Sequence, residues 1–379
     1  MSPDTAAEAK GVRDEDAFDV AAVDAWLRAA APDAGLGDAP PEVRQFSGGA
    51  SNLTYLLRYP ERDLILRRPP PGVKAKGAHD LAREYRIQER LRPVYPYVPE
   101  MVALCEDPAV LGSDFYVMAR VEGTIPRSRL PEGVAGDPDA THAMCVSVID
   151  RLCDLHAIDP VAAGLDDLGK GAGYVARQVD GWSRRYRDAR TPNVPGFEGV
   201  MAWLEDLQPR DLATRVIHND FRLDNVVLGG GRGPDDPMRV VGVLDWEMAT
   251  LGDPLMDLGG ALAYWVEAGD GPGMRLLRRQ PTHLPGMLTR AQVVAHYAER
   301  TGIPVRHWAF YEVFGLFRLA VIVQQIYRRY HLGQTRNPAF RNFWIAVIYL
   351  DWRCRRIMRA DRDASAGVAP GDYRARAWV

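Results

Sequence analysis

The sequence predicts an α+β chain folded as two lobes, a small antiparallel β-rich N-lobe and a larger helical C-lobe with a cleft between them. Three observations carry this. Strand-like apolar runs (Leu53 to Arg58, Leu64 to Arg67, Met101 to Leu104, Phe115 to Val121) crowd into the first third of the chain. Beyond residue 140 the apolar residues recur at helical intervals over longer spans. Between the two regions, Glu122 to Ala140 is rich in Gly, Pro and charge and reads as the linker. At 379 residues the chain has room for two such units, and we divide it into a flexible tail over 1–19, an N-lobe over 20–121 and a C-lobe over 122–379.

In order, Val20 to Ala30 is helical, with Val23 and Leu27 a turn apart, and strands follow from Gln45 and Phe46 onward. Ala78 to Arg92 sets Leu81, Tyr85 and Leu91 among dense charge and is stopped by Pro93 and Pro96, which predicts one helix beside the small sheet. In the C-lobe, Ala143 to His156, Tyr174 to Tyr186 and Val200 to Leu207 are helical. Val216 to Ile217, Val226 to Leu228 and Val240 to Leu244 are short buried strands, the last two joined by a Gly-rich turn at 229–234. Helices return at Pro254 to Ala268, Arg290 to Thr301, His307 to Tyr330 and Pro338 to Arg359.

Composition removes several function classes. The net charge of −3 provides no global basic field for nucleic acid or an anionic membrane, so any anion site is local. The longest uninterrupted apolar stretch, Phe343 to Leu350, is far short of the ~20 residues that cross a bilayer, and no membrane span is expected. Residues 1–19 lack the apolar core of a secretory signal. Cys105, Cys145, Cys153 and Cys354 are scattered without metal-ligand or disulfide spacing, which fits a reducing cytoplasmic setting.

The chemistry concentrates in Ile217-His218-Asn219-Asp220-Phe221-Arg222-Leu223-Asp224-Asn225, followed one hairpin later by Leu244-Asp245-Trp246-Glu247. Polar residues between short apolar strands would gather at the strand ends. Asp220 would accept or orient the proton of an attacking hydroxyl, within about 3 Å of it. Asn225 and Asp245 would hold Mg²⁺, which takes one or two protein carboxylates plus substrate phosphates. His218 reads as a structural residue whose ring ties the loop to backbone carbonyls. Arg222, beside Asp220, would meet an anionic acceptor or a transferring phosphate, with a structural salt bridge as the equal alternative. Gly48, Gly49 and Ser51 lie between strand-like runs, where small residues let backbone N–H groups approach phosphate oxygens.

The run HxDxxxxN followed by Asp-Trp-Glu resembles the aminoglycoside phosphotransferase family, a branch of the protein-kinase-like fold. The likeness extends over most of the chain: Phe46 to Tyr55 is similar to the family's nucleotide loop, Ala78-His79 with Arg83-Glu84-Tyr85 to its N-lobe helix, Met118 to Gly123 to its hinge, and Gly252-Asp253-Pro254 with Asp257 to the segment after its metal loop. It is most similar to the subgroup associated with acyl-CoA dehydrogenases. The resemblance implies a bilobal protein-kinase-like fold, ATP and Mg²⁺ as cofactors, and nucleotide contacts from Gly48, Gly49, Ser51, Asn52, Met118 and Arg120. It also puts Arg67 where the family commonly has a phosphate-gripping lysine, with Glu84 as its partner and Arg68 as the competing assignment. Asn219 stands where the family usually has glycine.

The expectation is therefore an ATP-dependent phosphotransferase acting on a hydroxyl of a small molecule. The subgroup resemblance implies a hydroxyacyl-CoA or hydroxy acid as acceptor. An aminoglycoside O-phosphotransferase and a nucleotide-binding, pseudokinase-like module stay open as alternatives. Asp253 and Asp257 are read as helix caps, and Tyr174, Trp182, Tyr186, Trp265 and Tyr327 lie on helices expected to wall the cleft, where aromatics at helical spacing are more often core than substrate contacts.

Overall fold

A computed structural model describes residues 8–46, 52–70, 80–132, 134–230 and 237–366. In the N-lobe, β1 (Ala9–Lys10), β2 (Glu42–Phe46), β3 (Leu53–Arg58), β4 (Asp63–Arg68), β5 (Met101–Cys105) and β6 (Phe115–Ala119) form one antiparallel sheet in the order β1-β2-β3-β4-β6-β5. α1 (Val20–Ala30) covers one face, packing Val23 and Leu27 on Tyr55, Leu57, Leu64, Leu66, Phe115 and Val117. α2 (Leu81–Leu91) covers the other, where Leu81 and Tyr85 meet Leu56, Ile65, Tyr116 and Met118. Side chains alternate along a strand. Arg67 therefore shares the α2 face with Ile65, and Arg68 turns to the α1 face with Leu66.

Part of the segment expected to fray is instead paired into this sheet. Ala9 and Lys10 face Phe46 and Gln45, and Asp16 is buried, accepting from Gln45 Nε2 at 2.8 Å. The cause is the edge of β2, whose open N–H and C=O groups recruit a strand too short to show alternation. α3 (Pro108–Leu111) fills the β5–β6 connection.

The C-lobe contains α4 (Pro138–Ala157), α5 (Tyr174–Ala189), α6 (Glu198–Asp206), β7 (Arg215–Ile217), β8 (Val226–Gly229), β9 (Arg239–Val243), β10 (Thr250–Gly252), α7 (Pro254–Leu262), α8 (Pro272–Leu277), α9 (Arg290–Thr301), α10 (Trp308–His331) and α11 (Phe343–Ala366). α10 is long and apolar enough to cross a bilayer by length and composition, but 67% of its apolar window is buried within the fold. It packs on α7, α5 and α11. One large core fills this lobe and also takes Ile87, Leu91, Tyr95 and Val98, so the end of α2 is rooted in the C-lobe.

Two short antiparallel pairs set the site. β7 pairs with β10, Ile217 opposite Thr250, and β8 pairs with β9. The loops 218–225 and 244–249 thus leave the same end of the lobe. The segment joining the lobes runs alongside, with Thr124 bridged to Leu228. Only glycine fits before it: Gly123 has φ +146°, and a Cβ there would sit 2.3 Å from the Leu228 carbonyl oxygen.

Candidate active site

Between the lobes lies a cavity of about 450 Å³, a size typical of small-molecule sites. Asn52, Arg67, Met118 and Arg120 line it from the N-lobe side, and Asp220, Arg222, Asp224, Asn225, Asp245 and Glu247 from the other. Among the described residues, the fold thus brings together on one cavity every predicted site residue except Glu84, which stands behind Arg67. Gly48, Gly49 and Ser51 lie outside the described residues, as do Ala78 and His79.

The catalytic-loop candidates are held by a buried carboxylate. Asp257, one turn into α7, accepts from the backbone N–H of His218 at 2.7 Å, the N–H of Asn219 at 2.9 Å and His156 Nε2 at 3.1 Å. Burial alone would raise its pKa. The hydrogen bond from His156, with the backbone N–H of His218, more than offsets that and holds it below the ordinary carboxylate value. The expectation of two helix caps is half right. Asp253 caps α7 through Leu255 and Met256 N–H, whereas Asp257 reaches away to the loop. Behind it, His156 Nδ1 lies 2.7 Å from the Tyr297 hydroxyl.

His218 has the structural arrangement the sequence favoured. Its Nε2 donates to the Leu244 carbonyl at 3.0 Å, and its Nδ1 accepts from the Asp220 N–H at 3.3 Å, which fixes one neutral tautomer and ties the two loops together. Asn219 has φ +65°. Its side chain accepts from the Tyr174 hydroxyl at 2.9 Å and donates to Met248 O at 3.1 Å, which compensates the left-handed backbone. Arg318 of α10 donates to its carbonyl at 2.6 Å.

Asp220 is partly exposed to the cavity. Asn225 Nδ2 donates to its backbone carbonyl at 2.8 Å and to its Oδ2 at 3.1 Å. Asn225 therefore turns its amide nitrogen to Asp220, leaving its carbonyl oxygen for a cation. Asp245 has φ +68°, and its buried Oδ1 accepts no hydrogen bond. Two oxygen donors on adjoining loops, joined by Leu244 N–H to Asn225 O at 2.8 Å, fit Mg²⁺ sharing its shell with phosphate. No denser cluster of metal-ligating side chains occurs among the described residues.

Opposite, Arg67 is gripped from two sides, by Glu84 at 3.0 Å and Asp245 at 3.5 Å. Burial opposes its charge, but Glu84 and then Tyr116 and Asp245 outweigh that and keep it a cation. Arg68 is no competitor. It is buried on the far face, donating to Asp16 O at 2.6 Å and Tyr55 Oη at 3.0 Å. Arg120 reaches the cavity with its charge already paired to Asp63 at 3.0 Å. The aromatic set does not wall the cavity: Tyr174 supports Asn219, Tyr186 packs on Phe197, and Trp265 donates to Leu288 O at 2.8 Å. Sequence reasoning missed Asp224, Glu247 and Arg127 as lining residues, although the first two lie inside the quoted motifs.

With this geometry in place, comparison with known proteins is informative. The model of a family described as a phosphotransferase enzyme family matches residues 42–300. Acyl-CoA dehydrogenase family member 10 of Mus musculus is 36% identical over 300 residues, which cover 79% of this chain and 27% of that protein. This chain thus spans about a quarter of that relative's length. A solved Ralstonia eutropha protein, described as a candidate aminoglycoside phosphotransferase, is 30% identical with a TM-score of 0.71, the match covering 90% of this chain and 99% of that one. A choline kinase from Cryptosporidium parvum, at 12% identity and a TM-score of 0.60 over 92% of this chain and 97% of its own, shares the fold.

Proposed function

Because this chain belongs to the phosphotransferase enzyme family and has its bilobal kinase-like fold, we propose that it transfers the γ-phosphate of ATP to a hydroxyl of a small molecule. The observation that carries this is the meeting of Asp220, Asn225 and Asp245 with the Arg67–Glu84 pair in one cavity. Asp220 takes the hydroxyl proton while the oxygen bonds to the γ-phosphorus, the bond to the β-phosphate oxygen breaks, and ADP leaves. Asn225 and Asp245 hold Mg²⁺, which when bound neutralises phosphate charge. Arg67, its rotamer fixed by Glu84, grips the phosphates as a planar fork where a lysine would act as a point charge.

For the acceptor we propose a hydroxyacyl-CoA or hydroxy acid. The relative named as an acyl-CoA dehydrogenase and the cavity arginines 67, 127 and 222 support an anionic acceptor. An aminoglycoside is the second reading, favoured by the Ralstonia eutropha likeness and by Asp224 and Glu247 in the cavity wall. A module that binds nucleotide without transfer is the third, favoured by Arg67 and Asn219. The four buried thiols suit the reducing cytoplasm proposed as its setting.

A coupled ADP-release assay tests these readings together. Asp220→Ala and Asp245→Ala each lose turnover by at least about a hundredfold while the chain stays folded, and hydroxyacyl-CoA consumes ATP faster than kanamycin. Wild-type turnover in either variant sinks the site assignment. The reverse acceptor order selects the aminoglycoside, and no Mg²⁺-dependent ADP release with any acceptor selects the non-transferring module.

A further inference from the structure

Arg222 is shared between two carboxylates and satisfies neither fully. Its Nη2 donates to Asp220 Oδ2 at 3.0 Å and lies 3.5 Å from Asp224 Oδ2. Its Nε is 3.0 Å from Asp220 Oδ1 yet, although buried, has no aligned hydrogen-bond acceptor. Asp224 Oδ1 is also buried without a hydrogen-bond partner. The guanidinium carbon lies 4.9 Å from the centre of the Tyr264 ring, an aromatic face on which the planar group can turn without losing contact.

The same contacts burden Asp220. Its Oδ2 already accepts from Arg222 and Asn225, and its Oδ1 faces the Arg222 Nε. A hydroxyl entering the cavity must compete with these donors for the lone pairs of the carboxylate. We propose that Arg222 is an anion-operated latch on Asp220. A negatively charged oxygen group entering the cavity, either the terminal phosphoryl of the nucleotide or an acidic group of the acceptor, draws the guanidinium away, so the base is released only in a loaded site. This rests on the reading of Asp220 as the base, and it makes Arg222 a determinant of acceptor charge.

Asp220 and the incoming anion then compete for one guanidinium, and by linkage weakening one partner must strengthen the other. Calorimetric titration of the full chain checks this, using Mg²⁺ with a non-hydrolysable ATP analogue, 3-hydroxybutanoate, or its neutral methyl ester. Asp220→Asn should bind the operating anion roughly five- to tenfold tighter. The gain should disappear when Arg222→Gln is added, with Arg222→Met as the substitute if that variant does not fold. The ester should show no gain.

A gain for the nucleotide analogue assigns the phosphoryl group as the operator, and a gain for hydroxybutanoate assigns the acceptor. No gain for either anion overturns the latch. So does a gain of equal size in the Arg222→Gln background, because loss of one negative charge would then suffice. Turnover separates the two levels: an inactive Asp220→Asn without tighter binding removes only the latch, whereas an active Asp220→Asn removes the base and the latch together.

Discussion

Three donors converge on the carboxylate of Asp257, two of them backbone N–H groups of the loop that carries Asp220. Removing its charge leaves those donors facing an amide, a cost of about 2–4 kcal/mol for a buried, charge-assisted set. The pH dependence has a definite sign. A carboxyl whose folded-state pKa lies below its unfolded value contributes stability that is complete above about pH 4 and is lost only as pH falls through the folded pKa. Urea unfolding from pH 3 to 8 should therefore show a constant gap between wild type and Asp257→Asn down to about pH 4, closing below it. A gap that already narrows between pH 7 and 5 would point to a different titrating group. That Asp220, Asn225 and Asp245 meet at one cavity was legible in the sequence, because their order and spacing sit inside two short loops. Asp257 was legible only as an acidic residue at a helix start, since local sequence cannot say which N–H groups a carboxylate will meet.

At the scale of elements, α7 and α10 meet backbone to backbone. A Cβ on Gly315 would come within 2.2 Å of the Gly259 carbonyl oxygen, and one on Gly259 within 2.5 Å of the Tyr311 carbonyl oxygen. These helices deliver Asp257 and Arg318 to the loop that carries Asp220. Gly315→Ala must push them apart, and a chemical-denaturation series should show a loss of about 1–3 kcal/mol with reduced turnover. Gly260→Ala is the internal comparison for stability, because its Cβ would meet only the flexible Arg318 Nη1 at 2.9 Å. Equal losses in the two variants would remove the backbone contact as the explanation. Most helices were readable from periodicity, α1 and α9 to the residue, but several ends were not. α4 begins at Pro138, where Asp137 caps Ala140 N–H and proline takes the first turn, five residues ahead of the apolar period. α7 stops at Leu262, six residues before the apolar stretch does. β1 exists because an edge was open to it, which its own two residues do not announce.

For the whole molecule, the decisive contacts are those that cross between lobes. Arg83 of α2 donates to the carbonyls of Ala249 at 2.6 Å, Leu168 at 3.3 Å and Glu247 at 3.4 Å, next to the Glu84 that holds Arg67. Arg83→Ala should weaken nucleotide binding by roughly three- to tenfold and cost about 2 kcal/mol of stability, measured by titration and unfolding. Unchanged affinity would show that Arg83 does not set the spacing of the lobes. The two-lobe plan was legible because strand-like and helical patterns separate along the chain. The rooting of the α2 end in the C-lobe core was not, because that depends on which surface its apolar stripe meets.

The bridge between Thr124 and Leu228, with Gly123 pressed against the same strand, fixes where bending is possible. At Thr124 the connecting segment is fastened to β8, the strand that begins directly after Asn225. Because the end of α2 is also rooted in the C-lobe, any widening of the mouth must bend both the residues before Gly123 and the connection from Val98 to β5, raising the β-sheet as a roof while the loops of Asp220, Asn225 and Asp245 stay in place. Under the proposed reaction, nucleotide would be admitted and released by bending at Arg120, Val121 and Glu122 together with the α2–β5 connection.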